Sequence, residues 1–179
     1  NSSSSLVQSK TLGNLIFILM APISTLQIFL AYTAAAVARG LMVGLGVLLI
    51  GLFYVKVPVH NFGIILLFAI CSSAVLGALG IIAGIWADKF DQMAAFQNFI
   101  IVPLSFLSGV FYSIHSLQGV WHTLSRFNPF LYMIDGFRYG FFGVSDVPLG
   151  TSLTVVFVSL IVLSAVSCWM IHTGYKLRQ

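Results

Sequence analysis

The chain has 179 residues, 59% of them hydrophobic and 7% charged. Soluble domains carry about 25% charged residues, so a water-soluble globule is excluded and an integral membrane protein is implied. The net charge of +4 is spread without a basic cluster, which leaves nucleic acid no footprint. Cys71 and Cys168 each sit inside an apolar run and read as small buried hydrophobes rather than a disulfide or metal site.

Residues 1–10 are polar and Ser-rich and read as a loop. They lack a basic stretch followed by an apolar one, so they are not a signal peptide. Residues 12–30 are apolar but are broken by Pro22, with Ser24, Thr25 and Gln27 after the break. One reading makes 15–24 a surface element that turns at Ala21-Pro22 and leads into a span over 28–55. The other makes 15–37 a span, which leaves only 41–55 for the next, short of the roughly 20 residues a helix needs to cross. The first reading is preferred. Arg39 then lies well inside the span, where a charge costs at least ~2.5 kcal/mol and must face protein or water. It either contacts an anionic substrate group or a subunit partner, or it snorkels or bonds a neighbouring carbonyl. Ala36, Gly40 and Gly44 form a small-residue face on the same helix.

A polar loop over 56–61 leads to a second span at 62–87, with further small residues at Ser73, Gly77, Gly80 and Gly84. These faces serve helix packing within the chain or a subunit interface. Residues 88–92 read as a solvated turn. The third span covers 94–112, with Pro103 in its middle and Gly109 near its end. After Ser113, His115 and Ser116, Val120, Trp121, Leu124 and Phe127 recur at helical spacing. Asn128-Pro129 stops that helix and starts another, Asn as N-cap and Pro at the first position. Tyr132, Asp135 and Arg138 share one stripe of the new helix; Ile134, Phe137 and Phe141 share another. The two short helices over 117–142 read as an amphipathic hairpin that re-enters the outer membrane surface. Asp135 and Arg138 are spaced to pair. Phe106, Phe111, Tyr112 and Trp121 are either interfacial belt residues or the lining of an exit route. A last span covers 152–171. The fold class is therefore all-α and membrane-embedded, with about four spans plus the hairpin.

Four spans place Lys10, Lys89, Lys176 and Arg178 on one side and Lys56, Arg126 and Arg138 on the other, which favours cytoplasmic ends. The sequence has no Gly-x-x-x-x-Gly-Lys loop, no His-Glu-x-x-His and no Gly-x-Ser-x-Gly. His60, His115, His122 and His172 are isolated and read as interfacial. No catalytic, cofactor-binding or metal-ligating residue is expected.

Pro103, Gly109, Phe111, Asn128-Pro129, Tyr132, Asp135 and Arg138, in that order and spacing, resemble the carboxy-terminal signature of the ABC-2 type permeases, the membrane subunits of ATP-driven exporters. The chain departs from that pattern at Ser113 and at Leu117-Gln118, where the family often has Pro. It departs again at Ile16 and Phe17, where acidic residues are usual. The resemblance implies a piece of a six-span permease whose first two spans precede this chain. It implies export driven by ATP hydrolysis on a separate ATP-binding subunit, a second permease copy, and a bacterial inner-membrane location with both ends cytoplasmic. The element over 15–24, with Ile18, Ala21, Pro22 and Ser24, would touch the ATPase. Arg39, Phe106, Phe111, Tyr112, Tyr132, Asp135 and Arg138 are the candidate pathway or gate residues. The alternative function is a membrane-embedded lipid-modifying enzyme using Asp135 and a His as acid and base.

Overall fold

The computed structural model describes residues 2–12, 23–110 and 120–176, and every regular element among them is helical. They are α1 (Ser2–Thr11), α2 (Thr25–Tyr54), α3 (Phe62–Trp86), α4 (Phe90–Phe96), a π-turn (Gln97–Ile101), α5 (Val102–Phe106), α6 (Val120–Arg126), α7 (Pro129–Phe142) and α8 (Leu149–Thr173). Three helices, α2, α3 and α8, are long and apolar enough to cross a membrane. They fall on the stretches read as spans over 28–55, 62–87 and 152–171. The stretch over 94–112 is helical from Phe90 to Phe106, as α4, the π-turn and α5 of 7, 5 and 5 residues run on without a break. Its helix stops at Leu107, and Gly109 adopts a left-handed φ of 81°.

Local chemistry sets the helix ends. α2 begins at Thr25, three residues earlier than its apolar run suggests, because Ser24 closes a capping box. The Gln27 N–H donates to Ser24 Oγ at 3.3 Å, and the Ser24 N–H donates to Gln27 Oε1 at 2.9 Å. Asn61 caps α3 by accepting from the Ile64 N–H. Asn128 caps α7 by accepting from the Phe130 N–H at 3.0 Å, with Pro129 in the first turn. α7 and α8 each end on a left-handed glycine, Gly143 and Gly174.

α3 is the hub, in contact with α1, α2, α7 and α8. Two apolar clusters lie along it. One joins Ile81 and Ile85 to Leu6, Phe29, Met170 and Ile171. The other joins Phe68, Cys71 and Val75 to Leu131, Met133 and Val156. Glycines let these helices approach closely. Gly40 of α2 lies against Ser73, and a Cβ on Gly77 would come within 2.9 Å of Ala36 Cβ. The Ala36–Gly40 and Ser73–Gly77 faces therefore pack on each other within the chain, while Gly44 meets nothing.

Residues 2–10, expected to be part of a loop, are helical. α1 buries Leu6 and Val7, and Ser3 lies against Gly84, where a Cβ would meet Ser3 Cα at 2.9 Å. Its polar composition hides an apolar contact made by only two side chains, and α3 supplies the rest of the packing.

Candidate functional site

At one end of the bundle the polar residues converge on α7. Asp135 is buried at the α7–α8 junction. Its carboxylate accepts from the backbone N–H of Asp146 at 2.8 Å and from that of Val147 at 3.2 Å. Arg138 donates to Asp146 Oδ2 at 3.0 Å and to the Gly109 carbonyl at 2.7 Å. Asp135 and Arg138 pair as their spacing suggested, in an i,i+3 ion pair at 3.9 Å, and each also has nearer partners. The pair forms two arms of a larger knot. Asp135 holds the turn into α8, and Arg138 ties that turn to the chain leaving α5. Burial pushes the Asp135 carboxyl above the usual carboxylate range, against the pull of the two N–H groups and Arg138.

Tyr132 is buried beside this knot and donates its hydroxyl to the Arg126 carbonyl at 2.8 Å. Asn128 donates to the Leu104 carbonyl at 2.6 Å, a second tie between α5 and the α6–α7 corner. The loop between α2 and α3 closes on the same end, where the Asn61 N–H donates to the Gly140 carbonyl at 2.9 Å. His60 sits edge-on to Tyr139, with ring centroids 5.7 Å apart.

The opposite end holds a second polar group that the sequence reading took for a solvated turn. Lys10 donates to the Ile85 and Ala87 carbonyls at 2.6 and 3.2 Å and reaches Asp88 at 3.4 Å. Lys176 donates to the Trp86 carbonyl at 3.2 Å and to Asp88 at 3.1 Å. Two cations thus cap the carbonyl end of α3, and Asp88 clamps α1, α3 and α8 together. The hydrogen bond from Lys176 holds the Asp88 carboxyl below its ordinary range. Burial draws Lys10 below its usual value, against the opposing pull of Asp88. The only advance signal was the placing of Lys10 and Lys176 on one side.

Arg39 lies midway along α2. It is exposed within this chain and, among the described residues, makes no hydrogen bond or ion pair. It lines a groove of about 580 Å³ between α2 and α3 that includes Tyr32, Ala36, Gly40, Ser73 and Gly77. None of the four acidic residues of the sequence, Asp88, Asp91, Asp135 and Asp146, forms an ion pair with it.

The other candidates are more scattered. Phe106 and Trp121 are 57% and 58% exposed and stand on separate elements, α5 and α6. Phe111 and Tyr112 lie outside the described residues, as do Ile18, Ala21 and Pro22. Ser24 is placed, as the cap of α2. The structure therefore brings Tyr132, Asp135 and Arg138 together and sets Arg39 apart. It adds Asp146 to them, and it ties Gly109 and Asn128 to partners 29 and 24 residues away that no local spacing announces. Both oxygens of Asp135 are taken by backbone N–H groups, which suits it to holding a turn rather than moving protons.

A family model for the ABC-2 type transporter matches residues 1–142. The chain is 38% identical over 179 residues to the inner membrane transport permease YadH of Escherichia coli K12, covering 99% of this chain and 70% of that protein. The protein of the same name in Shigella flexneri matches to the same extent. Nodulation protein J of Rhizobium leguminosarum bv. trifolii is 31% identical over 112 residues, 60% of this chain and 39% of that protein. No solved structure matches. With most of its length matched by the family model and a close relative along nearly all of it, the chain belongs to the ABC-2 type transporter family, as one of its all-helical membrane proteins.

Proposed function

We propose that this chain is a permease subunit of the bacterial inner membrane, forming the export path for a substrate that moves at the expense of ATP hydrolysed on a separate subunit. The observation that carries the reading is the likeness along 99% of the chain to a transport permease. Two further features support it. The sequence holds no phosphate-binding loop of its own. The bundle also has two different polar ends, one suited to receiving a push and one suited to holding an exit.

In this reading the helical run from Phe90 to Phe106 is a fourth crossing, since it starts beside the clamp at Asp88 and leads to the knot at Gly109. α6 and α7 form the re-entrant hairpin on the outer side. The clamp end is cytoplasmic, and both chain ends lie there. The element over 15–24 rests on the ATP-binding subunit. Closure of that subunit would displace the start of α2, whose first turn is stiffened by the Ser24 capping box. Movement of α2 against α3 opens or narrows the groove at Arg39, because the Gly40–Ser73 and Ala36–Gly77 contacts leave no slack between them. Two permease copies would enclose the route. Arg39, Phe106, Phe111, Tyr112, Tyr132, Asp135 and Arg138 remain the candidate pathway or gate residues.

Purifying the tagged permease from its native membrane in mild detergent tests this. An ATP-binding subunit should copurify and hydrolyse ATP in the complex. A folded permease that carries no such subunit, and that turns over a lipid by itself, would overturn the reading in favour of an enzyme.

A further inference from the structure

The clamp holds two lysines with one carboxylate, and the two are not equivalent. Lys176 arrives from the end of α8 through a turn that is left-handed at Gly174, φ 65°, and again at Lys176 itself, φ 53°. A left-handed lysine is uncommon and persists only where its contacts hold it. Those contacts lie at the end of α3: the Trp86 carbonyl at 3.2 Å, Asp88 Oδ2 at 3.1 Å, and the Trp86 ring, whose centroid is 5.7 Å from the ammonium. Lys176 thus fastens α8 to α3. Lys10 fastens the last turn of α1 to the same place, through the Ile85 and Ala87 carbonyls and through Asp88 Oδ1 at 3.4 Å, the longer of the two ion pairs.

The last turn of α1 faces two ways. Ser9 is hydrogen-bonded to Tyr32 of α2, while its neighbour Lys10 reaches the end of α3. The element over 15–24 lies between α1 and the Ser24 cap of α2, so a force on it reaches both helices. When α1 follows α2, the contact that must give is the one between Lys10 and α3. Little opposes its opening. Asp88 is 40% exposed, so water replaces the departing ammonium, and Lys176 still neutralises the carboxylate. We infer that the Lys10–Asp88 contact is a latch that opens in the ATP-driven cycle, letting the end of α1 travel with α2 while Lys176 keeps α3 and α8 together. Asp88 is then a positioning residue, which sets where the push is resisted. The inference rests on the export reading and gives its moving parts a boundary.

The test uses the full-length permease, purified with its ATP-binding subunit, with Cys71 and Cys168 replaced by alanine. Lys10→Cys with Asp88→Cys breaks the latch, and a short reducible bis-methanethiosulfonate replaces it with a link that cannot open. Cross-linking should run at least about fivefold more slowly once the complex is trapped with ATP and vanadate. ATP hydrolysis by the linked complex should fall at least about fivefold and return on reduction. Two single variants test the same asymmetry without cysteines. Lys10→Gln should raise hydrolysis at least about twofold, because the latch no longer resists the push, and Lys176→Gln should not. Asp88→Glu, which keeps the carboxylate, should hydrolyse ATP as the parent does. Cross-linking at one rate with and without trapping, undiminished hydrolysis by the linked complex, or equal effects of Lys10→Gln and Lys176→Gln would overturn the inference and leave the export reading standing. A permease that carries no ATP-binding subunit sinks both.

Discussion

The two polar ends of the bundle are both built from aspartate and basic side chains, yet they differ in kind. The knot buries its central carboxylate, whose side chain is 4% exposed, and satisfies it with two backbone N–H groups. The clamp leaves Asp88 40% exposed, with two lysines that reach down to carbonyls along their aliphatic stems. Water screens the second and not the first. Removing a buried acceptor strands its donors, whereas an exposed pair returns its partners to solvent. The knot is therefore the rigid end and the clamp the adjustable one, a fitting asymmetry for a protein proposed to be driven from the clamp side.

The comparison breaks most readily at Asp135. Asp135→Ala strands the Asp146 and Val147 N–H groups in a half-buried turn and should lower stability by about 1–3 kcal/mol. Thermal unfolding in detergent reads this as a large fall in midpoint. A fall no greater than that of the clamp variants would show that the knot is not the rigid end. Arg39→Leu comes next. It removes an insertion penalty of at least ~2.5 kcal/mol, so the inserted yield should hold or rise. ATP hydrolysis by the assembled complex should nevertheless drop. A reduced yield with normal activity per molecule would instead make Arg39 a structural donor.

Arg138→Leu unties Gly109 from Asp146 and should cost about 1–3 kcal/mol. Arg138→Lys should recover less than half of this, since one ammonium cannot span both acceptors as the guanidinium fork does. The smallest effect belongs to the clamp. Asp88→Asn should change stability by no more than ~1 kcal/mol. The pH dependence sharpens the contrast in sign. The Asp88 carboxyl is held low, so its contribution is present above the ordinary carboxylate pKa and is lost as pH falls through the lowered folded value. The Asp135 carboxyl is raised by burial, so its ionisation opposes folding as pH climbs from the ordinary value through the raised one. Acid titration of unfolding midpoints for Asp88→Asn and the parent should diverge only above the lowered pKa and merge below it.

Much of this architecture is legible from apolar run length, because a spanning helix must be long and uncharged whatever it packs against. Asn128-Pro129 is legible too, since the cap and the first turn are local chemistry. α1 was missed because two buried side chains, Leu6 and Val7, leave no amphipathic pattern in a serine-rich stretch. The early start of α2 was missed because Ser24 and Gln27 look like a break and act as a capping box. The clamp and the knot depend on partners far apart in sequence, Lys10 with Asp88 and Arg138 with Gly109, which spacing along one helix cannot foretell. The Asp135–Arg138 pairing shows the limit from the other side. Correct spacing gave the pair, at 3.9 Å, while the shorter contacts to the α7–α8 turn and beyond α5 were not readable from it.

The proposed export reading puts the clamp end on the ATP-driven side of the membrane and the knot end at the exit. It is tested most directly by labelling single cysteines from outside intact cells with a membrane-impermeant maleimide, in the permease with Cys71 and Cys168 replaced by alanine. Lys56→Cys lies in the α2–α3 loop at the knot end, and Lys89→Cys lies beside the clamp; both positions are exposed. Lys56→Cys should label in intact cells, and Lys89→Cys should label only after the cells are broken. Labelling of both from the same side, or of Lys89→Cys alone from outside, would contradict it.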